Sequence, residues 1–327
     1  MPEEMEALSA LWRRVLGKEH VGIDDDFFAL GGDPQLAIKL LDEINKLTGL
    51  LFSPLVIYQA PTVAALAALL KEPSATPFPK QILLKSGNSE SPLYLAHGLC
   101  GNIMEFFEFV KHLKCSRPIY GLQARGTDGL EEPCTSIDEM AAYHCDAIKK
   151  IQPRGPYLLV GYSLGGLVAL EMARLFSQNG EGIALLVMID SYPPLRYAPL
   201  RQQLGAYSRR AKRYALRLLR PAQVPSSLGR AFTPAMRRVE QAAAKALREY
   251  HPRYYPGRIR FVKATIPVHF PDDPEKVWTS STDRLELEAV PGDHHQLLTA
   301  QCARLAAVIS RYLDELPLDK RTGSITR

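Results

Sequence analysis

The stretch Tyr157–Gly166, YLLVGYSLGG, decides how the rest of the chain reads. Leu158, Leu159 and Val160 form the apolar run expected of a strand buried on both faces. A helical pattern begins at Leu164 and runs to about Phe176. Between them lies Gly161-Tyr162-Ser163-Leu164-Gly165, a G-x-S-x-G pentapeptide. On a strand-to-helix turn this pattern makes a nucleophile elbow, which lifts the serine hydroxyl clear of the backbone. Glycine on either side removes Cβ atoms that would strike neighbouring backbone. The pentapeptide alone is a weak signal, since a helix-capping serine satisfies it too. With the strand before it and the helix after it, Ser163 is the candidate nucleophile.

A serine hydroxyl needs a base, and in this kind of elbow the chain order is Ser, acid, His. Asp190 ends the apolar stretch ALLVMID, 27 residues after Ser163. The C-terminal end of a strand is where catalytic groups gather in an open α/β sheet. Asp272 and Asp273, in FPDDPE, compete for the same role, although PDDP also reads as a turn. The base comes from VPGDHHQLL, where His294 is preferred and His295 is a packing or substrate-facing neighbour. Attack on an acyl carbon creates an oxyanion that needs fixed donors. The N–H of Leu164 is one, and the N–H of Leu99 in HGLCG is the second, with Cys100 the other choice. His97 reads as a structural residue of that loop, and Cys100 suits the loop better than it suits a nucleophile.

Outward from this centre, strands and helices alternate from Ser91 onward. PLYLAHG, PIYGLQARG, YLLVGYS, ALLVMID, RIRFVKAT and LELEAVPGDH read as strands with helical segments between them. This alternation predicts an α/β architecture, a largely parallel sheet with helices on both faces. Residues 195–255 interrupt it with helix-forming sequence placed to act as a lid, and a C-terminal helix follows from about Cys302 to Leu313. Residues 73–91 are rich in proline and serine and read as a linker, within which ILL pairs as an edge strand. Residues 316–327 form a polar tail.

Residues 1–72 have a different texture. Met5, Leu8, Leu11, Trp12, Val15 and Leu16 share one helical face, and Asp33 caps a second helix whose first turn holds Pro34. Two further short segments complete a small four-helix domain. The 327 residues thus carry about two domains. A hydrophobic content of 46% and no apolar run near 18 residues exclude a membrane span on the sequence reading. The acidic, amphipathic N-terminus does not resemble a signal peptide. Five cysteines without CxxC pairing argue for reduced thiols, no metal and a cytoplasmic setting. Residues 1–75 hold eleven acids against six Lys and Arg, whereas residues 195–260 hold sixteen Lys and Arg against two acids. No nucleic-acid motif accompanies the basic stretch, so an anionic protein or ligand is the better partner, beside the plain alternative of solvated helix faces.

The run DDFFALGGD and the ending APTVAALAALL resemble the acyl or peptidyl carrier domains of non-ribosomal peptide and polyketide synthases. In that family the residue after G-G-D/H is a serine bearing 4'-phosphopantetheine. Here it is Pro34, and Ser53 lies outside the motif. The resemblance implies a carrier fold without its covalent arm, and a phosphopantetheinyl transferase as partner only if Pro34 were serine. LAHGLCGN, RPIYGLQARG, GPYLLVGYSLGG, VMIDSYPP, REYHPRYYPGRIRFVKA and VPGDHHQLL, in this order, resemble the type I thioesterase domain that ends non-ribosomal peptide synthetases. That likeness covers 92–315. It implies an α/β-hydrolase fold with a helical lid, a Ser163–Asp190–His294 triad, and an acyl-serine released to water or to an internal nucleophile. It further implies substrates presented as acyl or peptidyl thioesters on a carrier or as acyl-CoA, upstream synthetase modules as partners, and no bound cofactor. Acyl transfer to an external amine or alcohol is the alternative, as is a docking role for the N-terminal domain.

Overall fold

The structure is a computed structural model. It describes residues 2–49, 52, 56–71, 78–88, 90–219, 233–267 and 270–316. Ser53, part of the linker, the middle of the lid segment and nearly all of the tail therefore lie outside the described residues. The chain divides into two compact units. One holds residues 1–79 with 126–132 and 224–238, and the other holds 80–125, 133–223 and the chain from 239 onward.

In the N-terminal unit, α1 (Pro2–Leu16) buries Leu8, Leu11, Trp12 and Val15, the face its spacing predicts. Helix α2 (Pro34–Thr48) is started by Asp33, whose Oδ1 accepts the Leu36 N–H at 2.8 Å, and Pro34 occupies the first helical position. Proline fits there because that N–H would have no helical partner. The helix stops at Gly49, which takes φ 70° and donates its N–H to the Asn45 carbonyl. Helices α3 (Val56–Gln59) and α4 (Val63–Lys71) close the bundle over Trp12 and Phe27, which meet edge to face at 5.1 Å. The DDFFALGGD loop is pinned at its start. The Phe27 N–H reaches the Pro61 carbonyl at 2.7 Å, and Asp26 Oδ1 accepts the N–H groups of Phe28 and Ala29.

The second unit runs β1 (Gln81–Lys85), β2 (Leu93–Ala96), α5 (Phe107–His112), β3 (Ile119–Leu122), α6 (Ile137–Ile151), β4 (Tyr157–Tyr162), α7 (Leu164–Gln178) and β5 (Ile183–Ile189). After α8 (Leu200–Leu219) and the part of α9 (Pro234–Glu249) from 239 onward come β6 (Ile259–Ile266), α10 (Pro274–Trp278), β7 (Leu285–Asp293) and α11 (Cys302–Asp314). The strands form one sheet in the order β1-β3-β2-β4-β5-β6-β7. Strand β1 runs antiparallel at the edge and every other pairing is parallel. The strand read as ILL inside the linker therefore belongs to the sheet.

Each central strand buries alternate residues on opposite faces, as a period of two requires. Tyr157 and Leu159 of β4, with Leu186 and Met188 of β5, pack toward α6 and α7. Leu158 and Val160, with Leu185, Val187 and Ile189, pack toward α5 and α11. Each such fully buried side chain contributes about 2 kcal/mol of apolar transfer, which is why these runs show no polar alternation. Strand β4 sits fourth of the seven, and its C-terminal end carries Ser163. Helices α8 and α9 interrupt the sheet between β5 and β6. The segment after α9 is tied to α7, where the Tyr250 hydroxyl donates to the buried carboxylate of Glu171 at 2.7 Å.

Candidate active site

The ends of β4, β5 and β7 build the site. The Ser163 N–H donates to the Ile189 carbonyl, and the Asp190 N–H to the Val262 carbonyl, so the end of β4 is tied to β5 and the end of β5 to the middle of β6. Ser163 takes φ 56° and ψ −120°, and Asp190 takes φ 46°. Among the described residues these are the non-glycine positions with positive φ, and both belong to the site. Backbone held in such regions costs about 1–3 kcal/mol per residue and persists only where its surroundings enforce it. Gly161 and Gly165 make the turn possible. A Cβ at Gly161 would stand 2.0 Å from the Gly165 carbonyl oxygen, and one at Gly165 would stand 2.2 Å from that of Ala96.

The structure brings Ser163, Asp190 and His294 together. His294 Nε2 lies 3.1 Å from Ser163 Oγ, and its Nδ1 lies 2.8 Å from Asp190 Oδ2. Asp190 is 3% exposed, and its other oxygen accepts the Ala264 N–H at 3.1 Å. The carboxylate is thus oriented by backbone on one side and holds the imidazole with the other. Of the competing acids, Asp273 caps α10 through the Lys276 N–H, and Asp272 faces Arg209 at 3.8 Å. Both serve other partners, whereas the carboxylate on His294 is that of Asp190. His295 meets His294 edge-on at 5.5 Å.

Two aromatic residues that the sequence reading left without a role hold His294. The ring of Tyr162 stacks on that of His294 at 4.7 Å and 17°, and its hydroxyl donates to the His294 carbonyl at 2.9 Å. Phe270 packs on His294 at 4.8 Å. Tyr162 is the first x of G-x-S-x-G, so its position was visible although its contact with a residue 132 positions away was not.

The first turn of α7 rests against the end of β2, as the close approach of Gly165 to Ala96 and His97 shows. This puts the N–H of Leu164 and the HGLCG loop on the same side of the elbow. In the loop, the Gly98 N–H donates to Glu105 Oε1 at 2.5 Å, and the Gly101 N–H donates to the Gly98 carbonyl at 3.2 Å. Those two N–H groups are engaged, which leaves Leu99 and Cys100 as the loop's candidate donors. The surroundings of the Cys100 thiol disfavour its thiolate form. Burial, with Glu105 and Glu240 adding to it, pushes its pKa up to about 12. Glu105 itself was not singled out from the sequence. Its one signal is an acid standing inside the apolar run NIMEFF.

Much of the basic stretch is engaged within the protein. Arg196 donates to the carbonyls of Arg248 and Tyr250, Arg209 to that of Phe270, and Arg253 to Asp138 and Glu171. Arg258 and Arg260 pair with Glu286. In the N-terminal unit, Pro34 offers no side-chain nucleophile, so the residues present do not fit covalent attachment of phosphopantetheine at that position. Among the described residues there is no group of His, Cys, Asp and Glu able to hold a metal ion, and no helix long and apolar enough to cross a membrane.

The family model described as a thioesterase domain matches residues 91–316, and the one described as a phosphopantetheine attachment site matches residues 6–70. A dimodular nonribosomal peptide synthase of Bacillus subtilis (strain 168) is 32% identical over 96% of this chain, which spans 14% of that protein. An indigoidine synthase of Dickeya dadantii (strain 3937) is 36% identical over 57% of the chain, or 13% of its own length. Among solved structures, holo-AB3403, a four-domain nonribosomal peptide synthetase, superposes with TM-score 0.61 at 27% identity, over 96% of this chain and 26% of that one. The NocB thioesterase domain shares the fold, with TM-score 0.53 at 22% identity over 69% of this chain and 95% of its own. The chain thus spans a small part of the curated synthetases it matches. The match over 91–316 places the chain in the thioesterase domain family, joined here to a carrier-type domain in the arrangement of non-ribosomal peptide synthetases.

Proposed function

We propose that the chain is a serine thioesterase that releases an acyl or peptidyl chain from a phosphopantetheine thioester through an acyl-Ser163 intermediate. The observation that carries this reading is the continuous hydrogen-bonded line Ser163–His294–Asp190 at the ends of β4, β5 and β7. Ser163 Oγ attacks the thioester carbon while His294 Nε2 takes its proton. Asp190 keeps the proton of the imidazole on Nδ1 and stabilises the imidazolium. The N–H groups of Leu164 and Leu99 receive the oxyanion, and α7 adds the positive end of its dipole. Collapse breaks the C–S bond, and His294 returns its proton to the leaving thiolate. Water, or a nucleophile within the acyl chain, then attacks acyl-Ser163 with His294 again as base. Transfer to an external amine or alcohol would use the same steps with a different second nucleophile.

The domain reading that goes with this function is a carrier-like domain over 1–72, a connection over 73–91, the thioesterase over 92–315 with its lid at about 195–255, and a tail over 316–327. Because Pro34 has no hydroxyl, substrates come from a carrier elsewhere, such as one in an upstream synthetase module, or as acyl-CoA, and the N-terminal domain acts as a docking unit. A reducing cytoplasm suits five cysteines that form no disulfide. The experiment is turnover of an acyl thioester by Ser163→Ala. The expected loss is about 10⁶-fold, the scale for removing a serine nucleophile. Retention of near-wild-type rates would overturn the assignment.

A further inference from the structure

We propose that Glu105 and His97 are positioning residues that clamp Gly98 from both sides and thereby aim the Leu99 N–H at the oxyanion. The inference deepens the proposed thioesterase reading and rests on it. Gly98 has the wide backbone freedom of a residue without a Cβ, yet both its polar groups are hydrogen-bonded by side chains. Its N–H donates to Glu105 Oε1 at 2.5 Å, and its carbonyl accepts from His97 Nδ1 at 2.8 Å as well as from the Gly101 N–H at 3.2 Å. The first bond fixes the peptide plane before Gly98 and the second fixes the plane after it, so φ and ψ of the glycine are set together. The plane after Gly98 contains the Leu99 N–H. In a trans peptide the carbonyl and the N–H point opposite ways, so a donor placed on the Gly98 carbonyl sets the direction of the Leu99 N–H.

The chemistry of the two side chains fits this task. A carbonyl oxygen only accepts, so His97 must carry its proton on Nδ1. His97 is 1% exposed, and burial lowers its pKa, which keeps the ring neutral in that tautomer. Its position is further held by His144, edge-on at 5.4 Å. Glycine at 98 eases the close approach of Glu105. A Cβ there would stand 3.0 Å from Glu105 Oε1 and 3.2 Å from the ring of Tyr162. The carboxylate is costly to desolvate, but it gives the Gly98 N–H an acceptor that an apolar side chain would not. Its use is directional, as preorganised donors require.

The test compares Glu105→Gln and Glu105→Met, which have similar shape but differ in acceptor capacity, with His97→Leu as an independent probe of the same plane. The readouts are kcat and KM for an acyl thioester, with the acylated residue located by peptide mass. Glu105→Met is expected to lower kcat about 10- to 100-fold, with KM within about two-fold because the oxyanion bond forms in the transition state. Glu105→Gln should stay within about three-fold of wild type, since its amide oxygen still accepts. His97→Leu should fall with Glu105→Met, and the double variant should lose less than the product of the two, because both act on one peptide. If Glu105→Met does not fold, the comparison of His97→Leu with wild type carries the same prediction. Unchanged kcat in Glu105→Met and His97→Leu, or a loss in Glu105→Gln equal to that in Glu105→Met, overturns the proposal. Acylation of wild type at a residue other than Ser163 would instead overturn the thioesterase reading itself. Acylation at Ser163 with indifferent variants overturns the clamp alone.

Discussion

Glu105 carries a cost that pH can expose. Desolvation pushes its carboxyl from 4.5 up to about 7, against the pull of the Gly98 N–H. Between these values the folded protein binds a proton that the unfolded chain releases. Stability contributed by this group is therefore lost as pH rises from about 4.5 to 7. His97 and His144 act in the opposite sense, because burial lowers both and the unfolded chain takes up protons below about 6.5. Glu105→Gln removes the first contribution and leaves the second. The difference in melting temperature between Glu105→Gln and wild type should move in favour of the variant across pH 4.5 to 7. A difference that stays flat over that range would contradict the environment described for the carboxyl. At this scale the sequence was legible where order and spacing carry the meaning. Ser163, Asp190 and His294 follow one another in the order that an elbow of this type demands. Glu105, Tyr162 and Phe270 were not legible, because their roles are contacts across the fold and nothing in their local sequence marks the partner.

The elements were readable wherever one rule dominated. Strands β4 and β5 are buried on both faces, so their unbroken apolar runs announced them, and Asp33-Pro34 announced the start of α2. The alternation also gave the α/β sheet, and ILL gave an edge strand, whose antiparallel direction came from the structure. The order of the strands was not readable, since it is set by which crossovers pack over which face. The joint of β4 and α7 is the element on which the site depends most. A Cβ at Gly165 would lie 2.2 Å from the Ala96 carbonyl and 2.4 Å from that of His97. Neither is the end of a flexible side chain, so the helix must shift. Gly165→Ala should destabilise the protein by roughly 3 kcal/mol and lower kcat as well, because the Leu164 N–H moves with the helix. Chemical denaturation together with kinetics checks this. A variant as stable and as active as wild type would show that α7 does not sit this closely on β2.

For the whole molecule, the central fact is that a carrier-type unit with proline at its attachment position precedes a thioesterase domain with an assembled Ser–His–Asp line. The N-terminal unit keeps its core and its caps, and the Asp33 cap does not depend on the residue at 34. Pro34→Ser should therefore accept a phosphopantetheine arm from a transferase and CoA, while the unaltered chain gains no mass. An arm found on the unaltered chain, at Ser53 or elsewhere, would contradict this. Failure of Pro34→Ser to be modified would show that the loss extends past one residue, to the surface the transferase recognises. The central claim, that the carbonyl carbon passes through Ser163, is tested most directly by intact and peptide mass after brief exposure to a panel of acyl thioesters. The account predicts one acyl group on the wild-type peptide containing Ser163 and none on Ser163→Ala. An acyl group on any other residue, or equal labelling of the alanine variant, would contradict it.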